Sequence, residues 1–226
     1  MERILETDVL NFGVGGYGFD QIYLYFRRTE LQHSPRDSIY LIGLIPDDMA
    51  RMLFKIRARP KPYFTVENGE LIVHTAHINR ATFNEAFKRP AERSYLYFII
   101  KAKVGRGVLD HFLATEGPSR WQQVDLLTLS VLDEFKNIET ERSLKLAFVL
   151  YPYLPATENH RQKIRKQIES KGLRVIDLGP CFDLVLNNGE RTLGDLFDDS
   201  DHPTPLGNNL IAQCLAKEVV KLWQPT

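Results

Sequence analysis

Leu144-Lys145-Leu146-Ala147-Phe148-Val149-Leu150 is a seven-residue run in which Lys145 is the only polar side chain. A strand that exposes one face alternates apolar with polar residues, whereas a strand buried on both faces does not, so this run reads as an interior strand of a parallel sheet. Its neighbours support that. Upstream, Arg120 to Arg142 carries Val124, Leu127, Val131, Leu132 and Phe135 at helical spacing. Downstream, Asn159 to Lys171 reads as a polar helix stopped by Gly172, and Leu173 to Leu178 is a further short apolar run. Val9 to Val14 and Ser38 to Leu44 have the same character. Strands alternating with helices define a layered α/β domain with a parallel sheet.

Asp20 to Arg28 reads as the helix after the first run, with Arg27 and Arg28 at its electronegative end, and Thr204 to Trp223 as the closing helix. The middle departs from the rhythm. Tyr63-Phe64-Thr65-Val66 and Leu71-Ile72-Val73-His74 flank Glu67-Asn68-Gly69-Glu70, and Asn-Gly between two apolar runs signals a hairpin. The chain is therefore expected to be a single domain over residues 1–226, with an insertion at about 58–117. Within the insertion, Tyr95 to Ile100 is apolar throughout and fits strand or helix equally.

With 226 residues, 43% of them hydrophobic and 26% charged, the chain can bury a substantial core. Its 29 basic residues balance 29 acidic ones, so net charge gives no attraction to nucleic acid. Cys181 and Cys214 stand 33 residues apart without metal-ligand spacing and are expected to be two buried thiols. Met1 to Asp8 lacks the apolar stretch of a signal peptide, and no run is long enough for a membrane segment. The expectation is a cytoplasmic protein, with export or anchoring left open for a longer parent chain.

Two motifs carry chemistry. In Asp199-Ser200-Asp201-His202, on a loop before the last helix, a carboxylate can orient the imidazole through one ring nitrogen while the other takes a proton from a hydroxyl. Without chemistry, His202 would be a loop residue at the start of that helix. Gly13-Val14-Gly15-Gly16-Tyr17-Gly18, expected between a strand and a helix, fits the dinucleotide pattern G-x-G-x-x-G. That reading needs an acid at the end of the next strand, but Asp37 stands at its beginning and Asp47 and Asp48 come far on. The reading preferred over it, and over a plain turn, is an oxyanion hole in which glycine lets a backbone N–H approach developing negative charge. His33, His74, His77, His111 and His160 show no metal-ligand pattern, so no metal is expected. Arg51, just after Asp47 and Asp48, is expected to form a structural salt bridge.

Taken together, Asn11-Phe12-Gly13-Val14-Gly15-Gly16-Tyr17-Gly18-Phe19-Asp20-Gln21 and Asp199-Ser200-Asp201-His202 with Gly207 and Ala212 resemble the SGNH/GDSL esterase and acylhydrolase superfamily. The resemblance covers both ends of the chain. It implies a three-layer α/β/α, flavodoxin-like fold and hydrolysis of acyl esters, such as O-acetyl groups of glycans or lipid-like esters, without a cofactor. It makes His202 the general base, Asp199 its orienting carboxylate and Gly16 an oxyanion donor. The family's other donor is an Asn after the third strand, where this chain reads Pro46-Asp47-Asp48-Met49, and either Asp47 or Asp48 takes its place. An ionised Asp accepts hydrogen bonds and does not donate them, so the substitution departs from the pattern.

The larger departure is the absence of the Gly-Asp-Ser turn and of the strand that leads into it. In the family that strand lies between those matching Val9–Val14 and Ser38–Leu44, so the chain reads as N-terminally truncated, unless these two strands close up and pair directly. Asp37-Ser38 imitates the motif but precedes its strand. As given, the chain is expected to be inactive or nearly so. The alternatives are a catalytically dead module that binds acyl groups or carbohydrate or serves assembly, and an NAD(P)-binding oxidoreductase built on the glycine turn.

Overall fold

In the computed structural model, which describes residues 1–33, 38–54, 56–57, 59–75, 120–152, 158–198 and 202–223, the apolar run at 145–150 is the centre of a parallel sheet. The chain divides into two compact units, Met1–Met52 with Thr128–Thr226, and Leu53–Leu127.

The first unit begins with a single-turn helix α1 (Glu2–Leu5), followed by α2 (Phe19–His33), β1 (Ile39–Leu44) and a short helix α3 (Pro46–Arg51). The second unit holds a two-residue pair, β2 (Ile56–Arg57) with β3 (Arg59–Pro60), and a hairpin of β4 (Tyr63–Glu67) and β5 (Glu70–His74). Helix α4 (Arg120–Arg142) runs from the second unit into the first. It is followed by β6 (Lys145–Leu150), α5 (Glu158–Ser170), β7 (Arg174–Asp177), α6 (Gly179–Asn187), α7 (Leu193–Leu196) and α8 (Pro205–Trp223).

The sheet order is β1-β6-β7 with both pairings parallel, Ile39 opposite Lys145 and Ala147 opposite Arg174. All residues of β6 but Lys145 are buried, as its composition demands of a middle strand. Successive side chains point to opposite faces. Phe148 turns toward aromatic rings of α2 and α4, with Phe19 6.1 Å and Phe135 5.2 Å away, and Phe135 also meets Tyr23 and Phe26. Ala147 and Val149 join the cluster formed with Phe182 of α6, Leu196 of α7 and Ile211, Leu215 and Val219 of α8. Removing side chains of this size from water contributes about 1.5–3 kcal/mol each, so the two apolar faces of β6 drive the assembly of helices around it. The buried Tyr23 hydroxyl donates to Glu134 at 3.0 Å.

The hairpin in the second unit turns at Asn68 and Gly69, both with positive φ of 53° and 85°. That geometry matches the twist of the strands and explains why Asn-Gly stands there. The His74 ring stacks on Tyr63 at 4.6 Å, and its Nε2 lies 2.8 Å from the Thr65 hydroxyl.

Three expectations change. Val9–Val14 is not a strand: it is irregular and open, with Leu10 65%, Phe12 41% and Val14 43% exposed. Its polar groups bond locally, Gly13 N–H to Asn11 Oδ1 at 2.9 Å and Val9 N–H to Glu2 Oε1 at 3.1 Å, an alternative to a sheet ladder. Among the described residues, β1 pairs with β6 alone, so the direct pairing of the first two runs does not occur and no later strand fills the place between them. The cysteines are not two thiols: Cys181 of α6 and Cys214 of α8 form a disulfide, because packing on one face of the sheet brings their Cα atoms to 6.2 Å. Helices α3, α6 and α7 also stand where no helix was read. The Tyr95–Ile100 run lies outside the described residues.

Candidate functional site

The glycine turn leads straight into α2. Gly18 caps the helix: its carbonyl accepts from Gln21 and Ile22 N–H at 2.9 and 3.0 Å, and its own N–H donates to Gln21 Oε1 at 3.3 Å. The fully buried Asp20 accepts from Gln21 N–H at 2.9 Å, a carboxylate placed at the positive end of the helix. Gly16 has φ of 83°, a conformation that glycine adopts without strain, and is exposed. Since irregular backbone precedes the turn, the strand-turn-helix context expected of this motif, for a dinucleotide site and for an oxyanion hole alike, is missing.

Next to it stands the turn from β1 into α3. Pro46 opens the helix, Asp48 Oδ2 accepts from Ile45 N–H at 2.9 Å, and Asp48 N–H donates to the Ile45 carbonyl at 3.0 Å. Asp48 Oδ1 takes Arg51 Nη1 at 2.6 Å, whereas Asp47 is an exposed acid with Arg51 Nη2 3.8 Å away. The two candidates are thus separated by role: Asp48 builds the turn and Asp47 faces outward. Arg51 forms the expected salt bridge and also reaches the Tyr17 carbonyl at 3.4 Å. A Cβ on Gly18 would lie 3.1 Å from the Arg51 backbone carbon and 2.7 Å from Asp20 Oδ1, so a larger residue would have to push the two turns apart and move the Asp20 side chain.

Burial pushes the Asp48 carboxyl up from 3.8 to about 6, although the Ile45 N–H and Arg51 both pull it down. A carboxyl raised in the folded state binds its proton more tightly there than in the unfolded chain. Stability from this group therefore rises as pH falls from about 7 to about 4. Comparing wild type with Asp48→Asn by urea unfolding at pH 7.5 and pH 4 is expected to move the difference by about 2 kcal/mol in favour of wild type at the lower pH. A difference independent of pH would contradict this.

His202 lies in a loop closed at its base. The Asp198 N–H donates to the His202 carbonyl at 2.9 Å, His202 N–H donates to Asp198 Oδ1 at 3.0 Å, and Phe197 bridges Pro203. Thr204 is the cap of α8, its hydroxyl accepting from Gly207 N–H at 3.1 Å and donating to the Asp195 carbonyl at 2.6 Å. The His202 residue is exposed. Asp199 lies outside the described residues; among those described, Asp198 holds His202 through the latter's backbone N–H.

The topology relates these two features. The glycine turn meets α3, just beyond the carboxyl end of β1. The His202 loop starts at Phe197, whose ring lies 5.7 Å from Phe182, in the helix just beyond the carboxyl end of β7. The strands are parallel and, among the described residues, β6 stands between β1 and β7, with the glycine turn leading into α2 on the Phe148 face and the His202 loop into α8 on the Ala147 and Val149 face. Both features thus belong to the carboxyl edge, where open α/β sheets place ligands. Ser38 precedes β1 at the opposite edge. So does a cleft of about 500 Å³ lined by Lys136, Glu139, Lys145 and Arg174.

Among the described residues, no group of three or more His, Cys, Asp or Glu could hold a metal ion, and no helix is long and apolar enough to cross a membrane. Comparison with family models, with curated proteins and with solved structures returns no match.

Proposed function

We propose that this chain carries the base and the oxyanion turn of an ester-hydrolase site of SGNH type, on a three-layer α/β/α framework. The observation that carries the reading is the placement of the glycine turn and the His202 loop beyond the carboxyl ends of β1 and β7 in one parallel sheet. In this reading His202 takes the proton of an attacking hydroxyl, Asp199 orients the imidazole, and Gly16 N–H meets the oxyanion. Acyl esters of glycans or lipid-like alcohols are the substrate class, and no cofactor takes part. The described serines lie elsewhere: Ser38 before β1, Ser130 in α4, Ser143 before β6 and Ser170 at the end of α5. The nucleophile then comes from beyond the described residues. That same observation favours a second reading, a module that binds acyl groups or carbohydrate without turning them over.

A short-chain ester assay separates the two. It compares the chain as given, the chain preceded by its upstream coding sequence, and the extended form with His202→Ala. Hydrolysis is expected in the extended form, with a loss of about a hundredfold on His202→Ala. Equal rates in all three remove the esterase reading. Absence of hydrolysis in every form leaves the binding module.

A further inference from the structure

We propose that Arg51 is the positioning residue of the glycine turn, its guanidinium holding the backbone in the shape that presents Gly16 to an oxyanion. The function of the clamp rests on the reading of the turn given above, whereas the clamp itself rests on contacts. Arg51 is 18% exposed in its side chain and spans two partners from one nitrogen, Asp48 Oδ1 at 2.6 Å and the Tyr17 carbonyl at 3.4 Å. Asp48 is in turn fixed by Ile45 N–H, at the exit of β1. A chain of polar contacts therefore runs from the sheet through Asp48 and Arg51 to the peptide that follows Tyr17.

The turn needs such a hold. Gly13, Gly15, Gly16 and Gly18 place four glycines in this one turn, and glycine loses more conformational freedom on folding than any other residue. Downstream it is anchored by the Gly18 cap of α2. Upstream it is irregular chain. Holding the Tyr17 carbonyl stops rotation of the peptide adjoining Gly18 and so limits the orientations open to Gly16. A lysine ammonium also has three donors, but it ends a flexible stem, whereas the rigid planar guanidinium is pre-organised and loses less freedom for each bond it makes. An oxyanion donor contributes only when it is already oriented, which makes this clamp a determinant of rate and not merely of stability.

The test measures backbone order on the ¹⁵N-labelled full chain, as wild type, Arg51→Lys, Arg51→Gln and Asp47→Asn. In wild type, the Gly15 to Gly18 amides are expected to show order parameters near those of β6, about 0.85. In Arg51→Gln and Arg51→Lys, they are expected to fall below about 0.6 while the β6 amides keep theirs, and Asp47→Asn stays at the wild-type value. A turn already mobile in wild type, a turn unchanged in both Arg51 variants, or full order retained by Arg51→Lys overturns the proposal. If Arg51→Gln does not fold, the lysine variant decides. Loss of order together with an ester assay negative in every form would leave the clamp standing and remove the hydrolase reading.

Discussion

Arg161→Ala lowers the stability of the fold by about 3–5 kcal/mol, the loss typical of stripping one partner from a buried ion pair. Arg161 stands in the first turn of α5 with its side chain only 7% exposed, and its Nη1 pairs with Asp177, equally buried at the carboxyl end of β7. Its Nε and Nη2 reach Glu158 Oε2 at 3.0 and 2.5 Å, while Asp177 Oδ1 also accepts from Gly179 N–H at 3.0 Å. Removing the guanidinium leaves the Asp177 charge in the interior with one backbone donor and the half-exposed Arg165, 3.5 Å from Oδ2. That is the costly configuration, since desolvation is incurred without its compensation. Urea unfolding of Arg161→Ala, Asp177→Asn and the double variant checks the argument. The double variant is expected to recover part of the loss, because the stranded charge is gone. A cost for Arg161→Ala no larger than that of Arg165→Ala, a surface pair worth below about 1 kcal/mol, would contradict it.

The Arg161–Asp177 pair joins residues 16 apart that no motif links, whereas other parts of the molecule are legible in the sequence. The strand at Lys145–Leu150 is legible because burial on both faces leaves an unbroken apolar run, and Asn68-Gly69 because its turn requires positive φ twice. Helix α4 begins and ends at Arg120 and Arg142, the limits its periodicity implies. Val9–Val14 has the composition of a strand, yet a strand needs a partner, and Asn11 closes a local turn instead. Helix α6 opens on Gly179-Pro180 and α3 on Pro46 with Asp48 after it, start signals that short apolar strands just upstream overshadowed. At the candidate site, Gly16 and His202 are marked by their motifs. The part played by Arg51 is not, because it depends on a contact with Tyr17, 34 residues away, that no spacing rule connects. Asp48 differs from Asp47 only in which side of a helical turn it occupies, something settled by α3 forming at all.

Breaking the Cys181–Cys214 disulfide is expected to destabilise the chain by about 3–4 kcal/mol and to lower its melting temperature by about 6–16 °C. The bond closes 33 residues of sequence, and the chain-entropy argument assigns a loop of that size this penalty in the unfolded state. Cys214 is 3% exposed within the cluster of α6, α7 and α8, so the cross-link lies in the core and joins elements that already pack together. The closed segment contains α7 and the His202 loop. Reduction would leave that loop tied by the Phe197–Pro203 bridge, the Asp198 bonds and the packing of Gly207 against the Leu196 carbonyl, where a Cβ would not fit. The loop is therefore expected to keep its place below the melting transition, with stability and not local shape carrying the change. Melting curves with and without a dithiol reductant, alongside the Cys181→Ala/Cys214→Ala double variant, measure this. Alkylation of the denatured, unreduced chain should label no cysteine, and after reduction two. Labelling of both cysteines before reduction, or equal melting temperatures in the two states, would show that packing alone holds α6 against α8. Since such a bond persists only where thiol reductants are scarce, the same labelling on freshly lysed cells reports the redox environment in which the chain folds.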